Sequence, residues 1–246
     1  VLDERVRCVV ANSSFLGGAI RPEELVERAK QRGSHALALT DECSMSGIVR
    51  AHVAAQEHGL TLLVGSQFQV ACAFPFSLTV LACNLSGYGN LCQFITKLRR
   101  SANKGTYQLD ICDIEGDELQ DCVVVASPQR MSGPAQLEQG ARWMLKHFLG
   151  RCWLGVELLR LLDDEMWLHR LRQVAELTAI PLVATGDVHF HVRSRKPLQD
   201  VMTAIRVGKP LTDCGLEMQP NAERHLRTRL RLAQTFPLDL MAETLH

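Results

Sequence analysis

Side chains able to bind a metal ion or to move protons stand directly after short apolar runs in this sequence. Asp41 follows residues 36–40, while Asp187 and His189 follow residues 182–184. Because a strand has a period of two, we expect the Asp187 and His189 side chains on the same side of an extended segment. Such a pair can share a divalent metal with Asp41 as a third ligand. It can also form a structural hydrogen bond without any metal.

Other polar residues follow the remaining apolar runs. In a parallel barrel the loops after the carboxyl ends of the strands converge on one face, where functional side chains collect. The further polar residues at such positions are Cys8, Asn12, Glu42, Gln67 and His191.

Composition restricts the class of protein. The chain has 246 residues, of which 46% are hydrophobic and 22% charged, as in a folded globular protein. Lys+Arg and Asp+Glu are both 27, which excludes a global charge field for nucleic acid or an acidic membrane. The nine cysteines include no Cys-x-x-Cys pair, so we expect reduced, mostly buried thiols. No apolar run approaches the ~20 residues of a membrane span, and no signal peptide is evident, so we expect a cytoplasmic protein.

Short apolar runs alternate with segments of helical periodicity, which predicts an α/β fold. Helix boundaries are indicated by Pro22, Pro134, Gly59, Gly150 and Gly208. About seven βα units favour a distorted parallel (β/α)7-type barrel, and an open doubly wound sheet is the structural alternative. Strands are predicted over residues 5–10, 36–40, 61–64 continuing into 68–73, 78–83, 122–126, 153–158 and 181–184.

The pattern changes after about residue 215. A basic helix is predicted over residues 223–234 and a last short helix from Pro237, with no strand following. We therefore expect one domain over residues 1–215 and a short helical extension over 216–246 that links to something this chain does not contain. The acidic stretch 110–121 is expected to be a solvated loop, with a cation site as the alternative.

Several motifs resemble a known family. Residues 36–44, 64–68 and 186–200, which read ALALTDECS, VGSQF and GDVHFHVRSRKPLQD, are similar to motifs of PHP (polymerase and histidinol phosphatase) domains. With residues 219–227, QPNAERHLR, the similarity extends nearly end to end to the N-terminal region of bacterial error-prone DNA polymerases.

The resemblance implies a barrel that, in metal-binding members, holds two or three divalent ions on His, Asp and Glu for phosphoester hydrolysis. Where the family has ligands, this chain has Cys8 and Val10 for His-x-His, Gln67 for a carboxylate and Ser77 for a His. Glu42 stands where a His follows the Asp, as in many error-prone members. Asp41, Asp187 and His189 remain, so we expect no catalytic residue here and at most a single weakly bound Zn²⁺ or Mn²⁺.

The resemblance also implies partners. The family's polymerase carboxylates include an Asp-x-Asp pair that binds Mg²⁺, and these 246 residues contain no Asp-x-Asp. The expected partners are a polymerase core of the same polypeptide, DNA through the full-length protein, and mutagenesis accessory proteins. A free-standing PHP phosphoesterase and a proofreading domain are the alternatives. A solvated helix face is the other interpretation of the basic clusters, because aromatic residues for base stacking are not interleaved with them. Basic residues that could contact DNA phosphates are Lys97, Arg99, Arg100, Lys104, Arg193, Arg195, Lys196, Arg224, Arg227, Arg229 and Arg231.

Overall fold

The computed structural model describes residues 8–11 and 18–245, with the side chains of residues 8–11 and 245 excepted. The predicted strand residues 5–7, Asn12 and the Cys8 side chain therefore lie outside what is described. The chain divides into two compact units. The first takes its described residues from 1–42, 46–63 and 186–246, and the second comprises residues 43–45 and 64–185.

Strands and helices alternate along most of the chain. The strands are β1 (Cys8–Ala11), β2 (Ala36–Glu42), β3 (Thr61–Val70), β4 (Phe76–Ala82), β5 (Cys122–Pro128), β6 (Cys152–Glu157) and β7 (Leu182–Thr185). The helices are α1 (Pro22–Gln31), α2 (Ile48–His58), α3 (Leu85–Arg100), α4 (Pro134–Phe148), α5 (Asp164–Thr178), α6 (Lys196–Val207), α7 (Arg229–Ala233) and α8 (Leu238–Ala242).

In the first unit, β1 and β2 form a parallel pair whose register runs from Cys8 opposite Ala36 to Ala11 opposite Leu39. Helices α1 and α2 pack against each other. Helix α1 begins at Pro22, where the missing N–H costs nothing, and Glu23 and Glu24 favour the positive end of its dipole. Helix α2 ends at Gly59, whose φ of 60° suits a residue without a Cβ.

In the second unit, β5 pairs with β6 and β6 with β7 in parallel, as the βα pattern predicts. Strand β4 departs from this arrangement, because it runs antiparallel to both β3 and β5. Only residues 71–75 join β3 to β4, whereas a parallel crossover needs a dozen or more residues. The α/β class and a mostly parallel sheet are confirmed, with one hairpin inserted.

Helix α3 was not predicted. Gly87, Gly89 and Asn90 in its first half are typical of a turn, which hides the helical pattern. Two signals nevertheless mark it. The Asn84 side chain caps the helix by accepting a hydrogen bond from the N–H of Gly87 at 2.9 Å. Its buried residues include Leu91, Phe94 and Leu98, which share one helical face.

The predicted helix over residues 223–234 is too long at its N-terminal end. Helix α7 covers only Arg229–Ala233, and Thr228 caps it by accepting from the N–H of Arg231. The preceding residues are held instead by main-chain bonds to another segment, with Phe190 bridging His225. Residues 216–245 belong to the same compact unit as residues 186–215, and the domain boundary at 215 stays a prediction.

Three further predictions concern the surface and the thiols. The acidic stretch 110–121 is a loop with two short 3₁₀ turns, and the buried Ile114 and Leu119 anchor it. No disulfide bond joins the cysteines whose side chains are described. Among residues 18–245, no helix is both long enough and apolar enough to cross a membrane.

Two glycines of α3 give a matched test of the helix. A Cβ on Gly87 would collide with the main-chain carbonyl of Asp121, whereas one on Gly89 would meet no atom within 4 Å. We expect Gly87→Ala to lower the free energy of unfolding by about 1–3 kcal/mol. Gly89→Ala should raise it by up to ~1 kcal/mol, because alanine is the better helix former. Urea denaturation of the two variants checks this, and equal effects would contradict the described packing.

Candidate functional site

Asp187 stands where the chain leaves β7. Its φ of 38° is in the left-handed region, which Asp tolerates better than most residues. Val188 and Phe190, which follow, are 2% and 0% exposed. Although Asp187 itself is not in an extended conformation, its side chain and that of His189 lie on the same side, since they are in contact. The expected spacing relation between these two residues is therefore present.

Asp187 and His189 contact each other directly. The Nε2 atom of His189 lies 3.0 Å from Oδ2 of Asp187, and both side chains are 19% exposed. On the other side of the ring, Nδ1 lies 3.2 Å from Nε2 of Gln219. With its proton on Nε2, the ring donates to the Asp187 carboxylate and accepts from the Gln219 amide.

Arg224 completes this group, and sequence reasoning missed its role. Its Nη1 donates to the same Oδ2 atom of Asp187. The Arg224 main chain is fixed as well, because its carbonyl accepts from the N–H groups of His189 at 2.9 Å and Phe190 at 3.3 Å. The sequence grouped Arg224 with arginines available to DNA. Only its position in the QPNAERHLR run, which shares the family resemblance with the motif around Asp187, could have suggested otherwise.

The charges around Asp187 determine its ionisation. Burial opposes the charged carboxylate, but the neighbouring His189 and Arg224 side chains outweigh it and hold the pKa of Asp187 well below its usual range. Asp187 is therefore an anion whose counter-charge is supplied by the protein.

Asp41 does not complete a three-ligand set with this pair. It is only 2% exposed at the end of β2, in the same unit. Among the described residues, no group of three or more His, Cys, Asp or Glu side chains is placed to hold a metal ion. The structure thus brings together two of the three predicted ligands.

Two positions where the family resemblance implies ligands are neighbours in the second unit. Gln67 of β3 is 9% exposed, and its Nε2 donates to Oγ of Ser77 of β4. Gln69 Nε2 lies 3.5 Å from the same oxygen. An amide and a hydroxyl satisfy each other without charge, so neither supplies an anionic ligand.

A divalent metal implied by the PHP fold does not fit the residues that are described. A metal on this pair needs lone pairs of Asp187 and His189, yet Oδ2 of Asp187 already accepts from Arg224 and faces Nε2 of His189. A fixed cation at this point also repels a metal ion. We therefore derive no chemical step through a metal here.

Most of the predicted DNA-contacting residues make contacts within the protein. Arg193 and Arg231 both pair with Glu223, which is 3% exposed, at 3.3 Å and 2.5 Å. Arg227 is 5% exposed and lies over the Phe236 ring, with 5.2 Å from its guanidinium carbon to the ring centroid. Arg99 donates to the carbonyl of Cys43, Arg195 pairs with Glu24, and Lys196 pairs with Asp200. Of the predicted residues, Arg100, Lys104 and Arg229 are exposed.

Comparison with known proteins agrees with this fold. The PHP domain family model matches residues 10–130. A solved amidohydrolase from Chromobacterium violaceum, with bound sulfate and no metal, superposes with a TM-score of 0.58 at 15% identity over 74% of this chain and 87% of that one. A protein described as a candidate metal-dependent phosphoesterase from Bifidobacterium adolescentis gives a TM-score of 0.55 at 15% identity, over 74% and 88%. At such identities these likenesses concern the fold alone.

The fold and the family match place this chain among the PHP-domain proteins. More particularly, it is homologous to one region of the error-prone DNA polymerases. It is 46% identical over 241 residues to that polymerase from Dechloromonas aromatica and 44% identical over 236 residues to that from Methylococcus capsulatus. These alignments cover 96% of this chain but only 23% and 22% of the relatives, so the chain spans about a quarter of their length.

Substituting Asp187 should reveal the stability that the ion pair contributes. The pKa of Asp187 is lowered by folding, so its contribution is present above the unfolded value of ~3.9 and is lost as the pH falls through the folded value. We expect Asp187→Asn to lower the free energy of unfolding at pH 7 by about 2 kcal/mol, below the cost for a fully buried pair because the groups are a fifth exposed.

The loss caused by Asp187→Asn should shrink as the pH falls below about 4, as urea denaturation at several pH values would measure. Glu138→Gln is the control, since Glu138 forms an exposed pair with Arg142 one helical turn away. It should cost less than about 0.5 kcal/mol. A pH-independent loss for Asp187→Asn would contradict the ionic role.

Proposed function

We propose that this chain is the PHP-domain part of an error-prone DNA polymerase and acts there as a structural module whose ancestral metal site is degenerate. The observation that carries the proposal is the bond from the Arg224 guanidinium to the Asp187 oxygen that also faces His189. Through that contact the Asp187–His189 pair stabilises the fold.

Hydrolysis by a PHP metal cluster would require an activated water and stabilised attacking and leaving oxygens, for which such enzymes use closely spaced metal ions. Each ion needs several anionic or imidazole ligands. In the described part of the chain, the pair Asp187 and His189 is engaged by Arg224, and Gln67 and Ser77 satisfy each other as neutral groups. This arrangement favours a scaffold over a hydrolase.

The activity of the whole protein forms the second part of the proposal. The relatives are named as error-prone DNA polymerases and are about four times longer than this chain. We propose that the remainder of the polypeptide carries a polymerase core that uses Mg²⁺ to extend DNA on damaged templates, in the cytoplasm and in DNA repair. DNA would then be bound mainly by that core, with mutagenesis accessory proteins as further partners.

Metal content and hydrolysis test the structural role. We expect the purified chain, after dialysis against Zn²⁺ or Mn²⁺, to retain well below one ion per molecule by elemental analysis. With either metal, it should hydrolyse bis(p-nitrophenyl) phosphate no faster than the Asp187→Ala variant. Two or more stoichiometric ions, together with hydrolysis that is lost in Asp187→Ala, would instead identify a metal-dependent PHP phosphoesterase.

Association with a polymerase core is a further test of the structural role. If the chain is a scaffold for a polymerase core, the core segment of a close relative, produced separately, should bind it in size-exclusion chromatography. A chain that stays separate from the core at micromolar concentration would contradict the scaffold role.

A further inference from the structure

We infer that the Arg224 guanidinium is the resident cation of the Asp187–His189 pair and that it keeps divalent metal ions away from these two remaining ligands. This inference rests on the proposed function, because it explains how the metal site was lost. It adds that Arg224, as well as the replaced ligands elsewhere, prevents metal binding.

The ligand atoms of Asp187 and His189 converge on one point. The two atoms that a metal would use, Oδ2 of Asp187 and Nε2 of His189, are 3.0 Å apart. Two ligands held at about 2.0–2.1 Å from a tetrahedral Zn²⁺ are separated by roughly 3.3 Å. A shift of a few tenths of an ångström would therefore suit the pair to a metal ion. The atom Nη1 of Arg224 instead donates to the same Oδ2.

The Arg224 main chain is held firmly beside the pair. The Arg224 carbonyl accepts two main-chain hydrogen bonds, and the N–H of Leu226 donates to the carbonyl of Phe190 at 3.1 Å. On either side, the Glu223 and His225 side chains are 3% and 7% exposed. An incoming metal ion therefore competes with a cation whose main chain is already fixed beside the pair. Because that main chain stays fixed, releasing the guanidinium gains little conformational entropy.

Gln219 is the outer partner of the His189 imidazole. When a metal takes Nε2 of a histidine, the proton must be on Nδ1, which then donates to an acceptor. Gln219 lies 3.2 Å from Nδ1 of His189 through its Nε2 atom, and its buried Oε1 atom makes no hydrogen bond in the structure. Rotation of this amide by half a turn would present the acceptor that a metal-bound His189 requires.

Replacing Arg224 tests the inference on the whole chain. We expect Arg224→Met to bind Zn²⁺ about 10-fold or more tightly than the parent chain, approaching one ion per molecule, by equilibrium dialysis with elemental analysis. The gain should disappear in the double variant Arg224→Met with Asp187→Asn, because the metal would lose its carboxylate. Arg229→Met, which removes an exposed arginine of α7, should bind Zn²⁺ like the parent chain.

Each outcome of this experiment is decisive. A folded Arg224→Met variant with unchanged Zn²⁺ affinity, beside a parent chain that binds no metal, would overturn the inference and leave the proposed function standing. A parent chain that itself binds stoichiometric Zn²⁺ through Asp187 would overturn both.

Arg224→Gln, which keeps a hydrogen-bond donor without the charge, replaces Arg224→Met in this test if the Met variant does not fold.

A further measurement needs no Arg224 variant. We expect Asp187→Asn alone to leave the residual Zn²⁺ binding of the parent chain unchanged, because Arg224 already engages that carboxylate. A 10-fold loss of this residual binding would show that metal ions reach Asp187 despite Arg224, and would overturn the inference.

Discussion

A carboxylate in a partly buried position needs a cation beside it, and the first unit of this protein is organised around that requirement at Asp187. The charge cannot be left alone, because desolvation of an unpaired anion costs several kcal/mol. Proteins meet the requirement with a metal ion or with a basic side chain, and the two solutions differ in consequence. A metal can leave and can activate water, whereas a guanidinium is covalently part of the fold and does neither.

Because the cation beside Asp187 is a side chain, it links segments that are distant in sequence. Arg224 belongs to a stretch beyond the last strand, yet its side chain neutralises Asp187 and its main chain pairs with His189 and Phe190. The same stretch places Glu223 between Arg193 and Arg231. Alternating acidic and basic groups thus hold residues 223–231 against residues 187–193, the segment that directly follows β7. The extension is packed by specific ionic contacts as well as by apolar burial.

Much of the fold and part of the site could be predicted from the sequence, wherever the signal is local. Proline and glycine at the ends of α1, α2 and α4 marked their boundaries, and the spacing of Asp187 and His189 fixed their relation, because helix caps and the strand period act over a few residues. Helix α3 was missed because its early glycines are typical of turns. The antiparallel β4 was foreseeable only from the short link before it.

The role of Arg224 illustrates a different limit. Its partner is 37 residues away in sequence, and an arginine has the same appearance in a sequence whether it faces solvent or a buried carboxylate. The same limit applies to the predicted basic residues, because local charge density does not reveal which cations are already paired within the protein, as Arg193 and Arg231 are with Glu223. Tertiary pairing is decided by contacts that no short window of sequence contains.

The division of the chain into two units has a consequence for its biosynthesis. The first unit draws on residues at both ends of the chain, whereas nearly all of the second is one continuous stretch, residues 64–185. During synthesis from the amino end, nearly all of the second unit therefore leaves the ribosome before the last segment of the first unit, residues 186–246, is made. After residues 18–42 and 46–63 are made, roughly 120 further residues must be translated before their partners in residues 186–246 emerge, which takes about ten seconds at typical translation speeds. In this interval their apolar surfaces would be open to chaperones.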